Sequence, residues 1–177
     1  EMNMNSNYAN VDKLVPSDLY NSYLPGTQDQ RARKYYKTEI GGYSLLKGGS
    51  SSYRCSFRVG EMYLNSAEAA MKNHHPEIAK MRLLQLLEKR YQSTAYTQAE
   101  TDINAMDDNA LLDEIYLQRR LELSYEGHRW FDIRRMEKNK RPILTREYEG
   151  QTYHIEDNYP ELTIKIPDEA REANPYL

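Results

Sequence analysis

The sequence predicts a mainly α-helical chain with long irregular loops and a small β hairpin near the C-terminus. Three observations carry this. Residues 58–73 and 76–92 place apolar side chains at spacings of 3, 4 and 7, the period of helices that bury one face. Residues 111–135 keep that period, but with charges on the stripe where a core belongs. After Lys138 the period changes, and residues 143–149 and 151–155 flank Gly150, a hairpin pattern.

Composition narrows the class. The formal net charge of the 177 residues is −3, which gives no bias toward nucleic acid or an anionic membrane. Leu, Ile, Val and Phe make up about 18% of the chain, below the ~20% that raises suspicion of disorder. Sixteen tyrosines and the periodic helices argue against disorder. Cys55 is the only cysteine, so no internal disulfide forms. No apolar run precedes Cys55, so it is not a lipid-attachment cysteine. The sequence contains no span of ~18 apolar residues.

Residues 1–57 are loop-rich, with Asn, Ser, Gly and Pro clusters that disfavour long helices. Ser17 or Asp18 is placed to cap one turn over 18–23, stopped before Pro25. Residues 34–38 read as a short strand with Tyr35 and Tyr36 on opposite faces. Seven tyrosines stand in this segment. Sugar rings have apolar faces that lie on aromatic rings, and a phenol adds a polar handle. Tyr35, Tyr36, Tyr43 and Tyr53 are therefore candidate ligand-binding residues. The competing reading is that each anchors its loop to the helical body.

Helix 58–73 carries small residues, Ala67, Ala69 and Ala70, that admit a close neighbour. It stops at Asn73-His74-His75, and Pro76 suits the first position of the next helix. Two such helices joined by a few residues form an antiparallel hairpin. It resembles a tetratricopeptide-like unit, although the pattern does not recur in this chain. His74 and His75 point in different directions and have no third ligand at helical spacing, so no metal is assigned. Residues 93–110 read as a polar connector, with capping-box spacing at Thr97 to Glu100 that allows a short helix. Asp107, Asp108 or Asn109 caps the helix that follows.

Within 111–135, Leu112, Ile115, Arg119, Glu122, Glu126, Arg129 and Ile133 share one stripe, with Leu117, Leu121 and Phe131 opposite. A helix apolar nearly all round expects burial. Arg119, Glu122, Glu126 and Arg129, followed by Asp132, then form a structural network, since Arg119 reaches Glu122 and Glu126 reaches Arg129 at i,i+3. The alternative is a solvated helix with surface pairs worth ~0.5 kcal/mol each. Gly127 weakens or bends the helix.

These residues carry a resemblance. Arg119-Arg120-x-Glu122-x-x-x-Glu126-Gly127-x-Arg129-x-x-Asp132-Ile133-x-Arg135 resembles the signature helix of the SusD/RagB family, with Gln118 where the family usually has Glu. Arg58-x-x-Glu61-x-x-Leu64-x-x-Ala67-Glu68-Ala69 resembles a second family element, and Asp29-Gln30-Arg31 its Asp-x-Arg element. Ile166-Pro167, Glu169 and Asn174-Pro175 are similar to its closing segment. The likeness covers most of residues 12–177.

The resemblance implies a SusD-like fold and one C-terminal domain over 1–177: a loop-rich segment 1–57, a helical core 58–137, and a hairpin with closing tail 138–177. It implies a Bacteroidetes cell-surface nutrient-binding protein of the outer membrane, lipid-anchored through a part absent from this chain. Such a protein binds an oligosaccharide or polysaccharide and delivers it to a SusC-like TonB-dependent transporter. Its partners include the N-terminal part of the same polypeptide, and nucleic acid is not among them. The alternatives are peptide binding, or a helical scaffold that only contacts the transporter. An enzyme is disfavoured. Glu122 and Glu126 are the one tempting acid pair, and neighbouring arginines would keep both ionised. No nucleophile elbow, phosphate loop or cysteine–histidine pair is present, so no catalytic residue and no cofactor is assigned.

Overall fold

The computed structural model describes residues 15–47, 58–148, 151–155 and 166–174. The fold is mainly α-helical, and the chain divides into two compact units between Arg129 and Trp130.

The described part of the loop-rich segment is more ordered than its composition implies. Helix α1 (Ser17–Asn21) buries Leu19 completely. Helix α2 (Gln30–Tyr35) runs directly into strand β1 (Tyr36–Glu39), which pairs antiparallel with β2 (Gly42–Leu45). The turn between them uses Gly41 at φ 93°, a conformation that costs a residue with a Cβ. Backbone bonds from Val15 N–H to the Tyr43 carbonyl and from Leu46 N–H to the Tyr35 carbonyl, 2.8 Å each, tie the hairpin down. The core here is largely tyrosine: Tyr23 and Tyr36 pack with Val15, Leu19 and Ala32 around Leu121.

The main core lies among α3 (Val59–Lys72), α4 (Pro76–Leu87), α5 (Ser93–Ala105) and α6 (Asp108–Glu122). Leu64, Ala67, Leu83, Leu87, Leu111 and Ile115 are all fully buried there. Helix α3 ends in a left-handed stop. His74 adopts φ 58°. His75 N–H reaches the Ala70 carbonyl at 2.9 Å, and His74 N–H the Met71 carbonyl at 3.1 Å. This satisfies two carbonyls that a helix end leaves open. The histidine pair thus makes a helix stop, with both residues exposed.

Helix α4 ends at Leu87, short of the expected residue 92, because residues 90–92 turn to meet the first segment. Gln30 N–H bonds the Arg90 carbonyl and Gln92 N–H the Gln28 carbonyl, each at 2.9 Å, around the Asp29–Tyr91 bridge. The expected polar connector is a full helix, α5. Ala95, Ala99 and Ile103, spaced i, i+4, i+8, make its apolar contact, and packing supplies what weak propensity does not. Asp107 caps α6, accepting from Ala110 N–H at 2.8 Å.

The continuous helix read over 111–135 is instead two helices. Helix α6 stops at Glu122, and Tyr125 (φ 62°) and Gly127 (φ 83°) turn the chain before α7 (Arg129–Arg135). Gly127 marks the break that composition located, and the break is wider than one residue.

The second unit begins within α7. Asp132, 3% exposed, accepts from Arg135 Nη2 at 2.7 Å. A 3-10 turn (Lys138–Lys140) leads to the antiparallel hairpin of β3 (Leu144–Tyr148) and β4 (Gln151–Ile155), in the expected place. Helix α8 (Asp168–Ala173) lies in the closing segment. The extended run read over 162–166 falls almost wholly outside the described residues. No helix of the described residues is long and apolar enough to cross a membrane.

Candidate functional site

Among the described residues, a dense cluster of buried charge sits where α6 ends. Helix α6 is amphipathic only in its first turns. Its last turn carries Gln118, Arg119 and Glu122, all buried. A buried carboxylate needs partners, since an unpaired charge in a low-dielectric interior costs many kcal/mol. The fold supplies three guanidiniums.

Arg90, in the turn after α4, grips Glu122 in a fork, Nε to Oε2 at 2.9 Å and Nη2 to Oε1 at 2.8 Å. Arg58, immediately before α3, donates Nη2 to Oε1 at 3.0 Å. Arg31 of α2 approaches Oε2 at 3.5 Å. Burial pushes the Glu122 carboxyl up, but the Arg90 hydrogen bonds and the charges of Arg31, Arg90 and Arg58 outweigh it and hold it at about 2.

Arg31 is 1% exposed and fully engaged. Asp29 caps α2 by accepting from Arg31 N–H at 2.9 Å, and accepts Nη2 of the same residue at 2.7 Å. The remaining Nη2 capacity reaches Gln118 Oε1, also at 2.7 Å. Gln118 in turn donates to Tyr91 Oη at 3.0 Å. A neutral amide here accepts from Arg31 and donates to Tyr91, which a glutamate in its place cannot do.

The backbone carbonyls at the α6 C-terminus are also covered by donors. Lys47 Nζ bonds the Glu122 carbonyl at 2.6 Å and the Ser124 carbonyl at 3.1 Å, and Tyr23 Oη the Leu121 carbonyl at 2.6 Å. Cationic donors at this end oppose the negative pole of the helix. Lys47 Nζ and Arg58 Nη1 both reach Glu126 Oε1. Burial nevertheless pulls the Lys47 amine down to about 8, with Glu126 only partly restoring it. Lys47 Nζ stands 4.1 Å over the Tyr35 ring, and the Tyr35 hydroxyl accepts from Arg58 Nη2 at 2.9 Å.

The residues read from sequence are therefore distributed. Glu122 and Glu126 lie in the cluster, and their described partners come from α2, the residues just after β2, the residue before α3 and the turn after α4. Arg119 is buried on the α3 side, its Nη1 2.5 Å from Asn65 and its Nε 3.9 Å from Glu68. Arg129 opens α7, and Asp132 belongs to the second unit. Sequence reasoning does not place Arg31, Lys47, Arg58 or Arg90 in the network; Arg31 and Arg58 stand only in segments that resemble family elements, and their roles come from packing.

Among the tyrosine candidates, Tyr36 is 3% exposed and its hydroxyl pairs with Ser124 Oγ at 2.7 Å. Tyr35 is half-buried beside Lys47 and Arg58. Tyr43 is half-buried and stacks on Tyr20 with ring centroids 3.5 Å apart. Tyr53 lies outside the described residues. No three His, Cys, Asp or Glu side chains converge as metal ligands among the described residues.

Fold and cluster together define a helical protein whose short N-terminal elements are stapled to a helix hairpin core by a buried carboxylate–arginine network. The SusD family model, SusD_RagB, matches residues 4–177, and the chain belongs to this family. It is similar to two proteins of Formosa agariphila. SusD-like protein P38 is 33% identical over 117 residues, 64% of this chain and 22% of that protein. SusD-like protein P25 is 27% identical over 127 residues, 72% of this chain and 23% of that protein. The chain thus spans less than a quarter of the length of these relatives.

Proposed function

We propose that this chain is the C-terminal domain of a surface glycan-binding protein that captures an oligosaccharide or polysaccharide without breaking a bond. The observation that carries the reading is the family match over nearly the whole chain. In this reading the protein sits at the outer membrane, lipid-anchored through a part outside this chain, and passes its glycan to a SusC-like TonB-dependent transporter. The cluster supports a non-catalytic role. A carboxyl held at about 2 is a poor general acid near neutrality, where the useful proton donor has a pKa close to the working pH.

Of the tyrosines, Tyr43 and Tyr35 are the stronger ligand candidates by exposure, Tyr36 contributes through packing, and Tyr53 stays a candidate on sequence alone. The test is a titration of the full-length protein against a polysaccharide library, repeated with Tyr35→Ala, Tyr43→Ala and Tyr53→Ala. Saturable binding to one class, weakened in at least one variant, is expected. Binding to peptides but to no glycan, or to the transporter alone, would replace this reading with peptide capture or a scaffold role.

A further inference from the structure

The net charge of −3 hides an uneven distribution. Residues 134–141, in the second unit, hold Arg134, Arg135, Lys138, Lys140 and Arg141 against a single acid, Glu137. Residues 100–113, by contrast, hold five acids and no Lys or Arg. Packing decides which side of α7 the cations take. Asp132, Ile133 and Met136 are buried, so the opposite side faces water and carries Phe131, 63% exposed, with Arg134 and Arg135, also exposed. Residues three and four apart are neighbours on a helix, so Phe131 adjoins both arginines on that side.

The residues after α7 add to the same place. Arg141 turns back over the helix end, its Nε 3.0 Å from the Met136 carbonyl oxygen and its Nη2 3.0 Å from that of Arg134. The 3-10 turn between them carries exposed Lys138 and half-buried Lys140. Part of this charge serves the fold. Asp132 accepts from Arg135 Nε at 3.1 Å and Nη2 at 2.7 Å, and Arg141 bonds carbonyls at the negative pole of α7. A helix end accounts for a cation or two in this way. Five within eight residues exceed that need, and the exposed Arg134 and Lys138 add local positive potential in an otherwise acidic chain.

An exposed aromatic ring among cations has a defined complement. A guanidinium fork matches an oxyanion such as a carboxylate or sulfate, and the ring takes the apolar face of a sugar. A membrane surface fits less well, because a helix that lies in a membrane interface buries a whole apolar face, and the water-facing side of α7 offers Phe131 between charges.

We propose that Phe131, Arg134 and Lys138, with the cations beside them, form a subsite for an acidic glycan, one that carries sulfate or uronate groups. The inference rests on the glycan-binding reading above and narrows its substrate class. The polysaccharide library is divided into sulfated, uronate-bearing and neutral members, each acidic member paired with its desulfated or carboxyl-reduced form. The full-length protein is expected to bind an acidic member saturably, to lose its neutralised form, and to bind less tightly as salt is added. Arg134→Gln combined with Lys138→Gln is expected to weaken this binding about tenfold or more, since each change removes a hydrogen bond between charged groups. Phe131→Ala is expected to weaken it too. All three residues are exposed, so the melting temperatures stay at the wild-type value. Binding of neutral members alone overturns this proposal and leaves the glycan-binding reading standing. Acidic-glycan binding that all the variants retain overturns it as well, and assigns acid recognition to other residues. Binding to no polysaccharide overturns both readings. Phosphatidylglycerol vesicles bound by the wild type and not by the double variant, with no polysaccharide bound, would overturn it in favour of an anionic membrane surface.

Discussion

Arg90 and Glu122 form a two-pronged pair, at 2.9 and 2.8 Å, between residues 32 positions apart. The pair joins the turn after α4 to the end of α6. Glu122 also holds Arg58 and Arg31, so one fully buried carboxylate ties together three segments that have no contact in sequence. Removing the carboxylate leaves three guanidiniums facing one another. Glu122→Ala is expected to lower stability by about 3–5 kcal/mol. Arg90→Ala leaves Glu122 with two partners and a gap open to water, and is expected to cost less, about 1–2 kcal/mol. Urea unfolding of both variants tests the order. Equal, negligible losses would mean the cluster contributes no net stability.

The same carboxylate predicts acid behaviour. Its folded pKa, about 2, lies below the ordinary 4.5. Below both values the proton is bound in both states and the contribution vanishes; above 4.5 it is full. Stability is therefore lost as pH falls from about 4.5 to about 2, by about 3 kcal/mol. Subtracting the profile of Glu122→Gln isolates this term. A difference that stays flat across that window contradicts the pairing.

Lys47 has the same sign at the alkaline end. Its folded pKa, about 8, lies below 10.5, so between these values the unfolded chain binds the extra proton and stability rises with pH. Tyr23, Tyr35 and Tyr91 are pushed above 10 by burial and act in the opposite direction at higher pH. The comparison is therefore wild type against Lys47→Met between pH 8 and 9.5. Wild type is expected to gain stability relative to the variant across that range, read as the shift in denaturant midpoint.

Gly60 faces the cluster from α3. A Cβ there would lie 2.5 Å from Glu122 Oε1, and Glu122 has no freedom to withdraw while three arginines hold it. Gly60→Ala would ordinarily strengthen a helix by about 0.5–1 kcal/mol. Here it is expected to destabilise by about 1–3 kcal/mol, as overpacking does. Combining it with Glu122→Ala should recover part of the loss, a coupling measurable in a double-mutant cycle.

His74 is exposed and holds a left-handed backbone conformation, φ 58°, that costs a residue with a Cβ. Relief of the Cβ clash, less the extra freedom glycine has when unfolded, leaves a net gain of about 0.5–1 kcal/mol for His74→Gly. Thermal unfolding checks this, and a lowered midpoint would show that the imidazole contributes elsewhere.

What the chain encodes locally was legible in order. Pro76 starts α4, Asp107, one of three capping candidates, caps α6, and the change of period after Lys138 predicted the β3–β4 hairpin, because each depends on a few neighbouring residues. Helix α5 was not legible as a full helix, since Ala95, Ala99 and Ile103 make a stripe too thin to stand out until α4 packs on it. Periodicity also placed Glu122 and Glu126 inside the protein, whereas the pairing of Asp29 with Arg31 emerged only from the structure.

Only the tertiary structure decided how those charges are neutralised. Helical spacing reveals partners three or four positions away, and it offered Arg119 to Glu122. The described partners of Glu122 lie 32, 64 and 91 positions away, at distances set by how the helices pack. The end of α6 was decided in the same way. Its last carbonyls are bonded by Tyr23, Lys47 and Arg58 from distant segments, which satisfies backbone groups that a continuing helix would have satisfied itself. A sequence specifies the charges to be buried. The fold brings their counter-charges together, because pairing acts through space and the cost of an unpaired buried ion leaves no other stable arrangement.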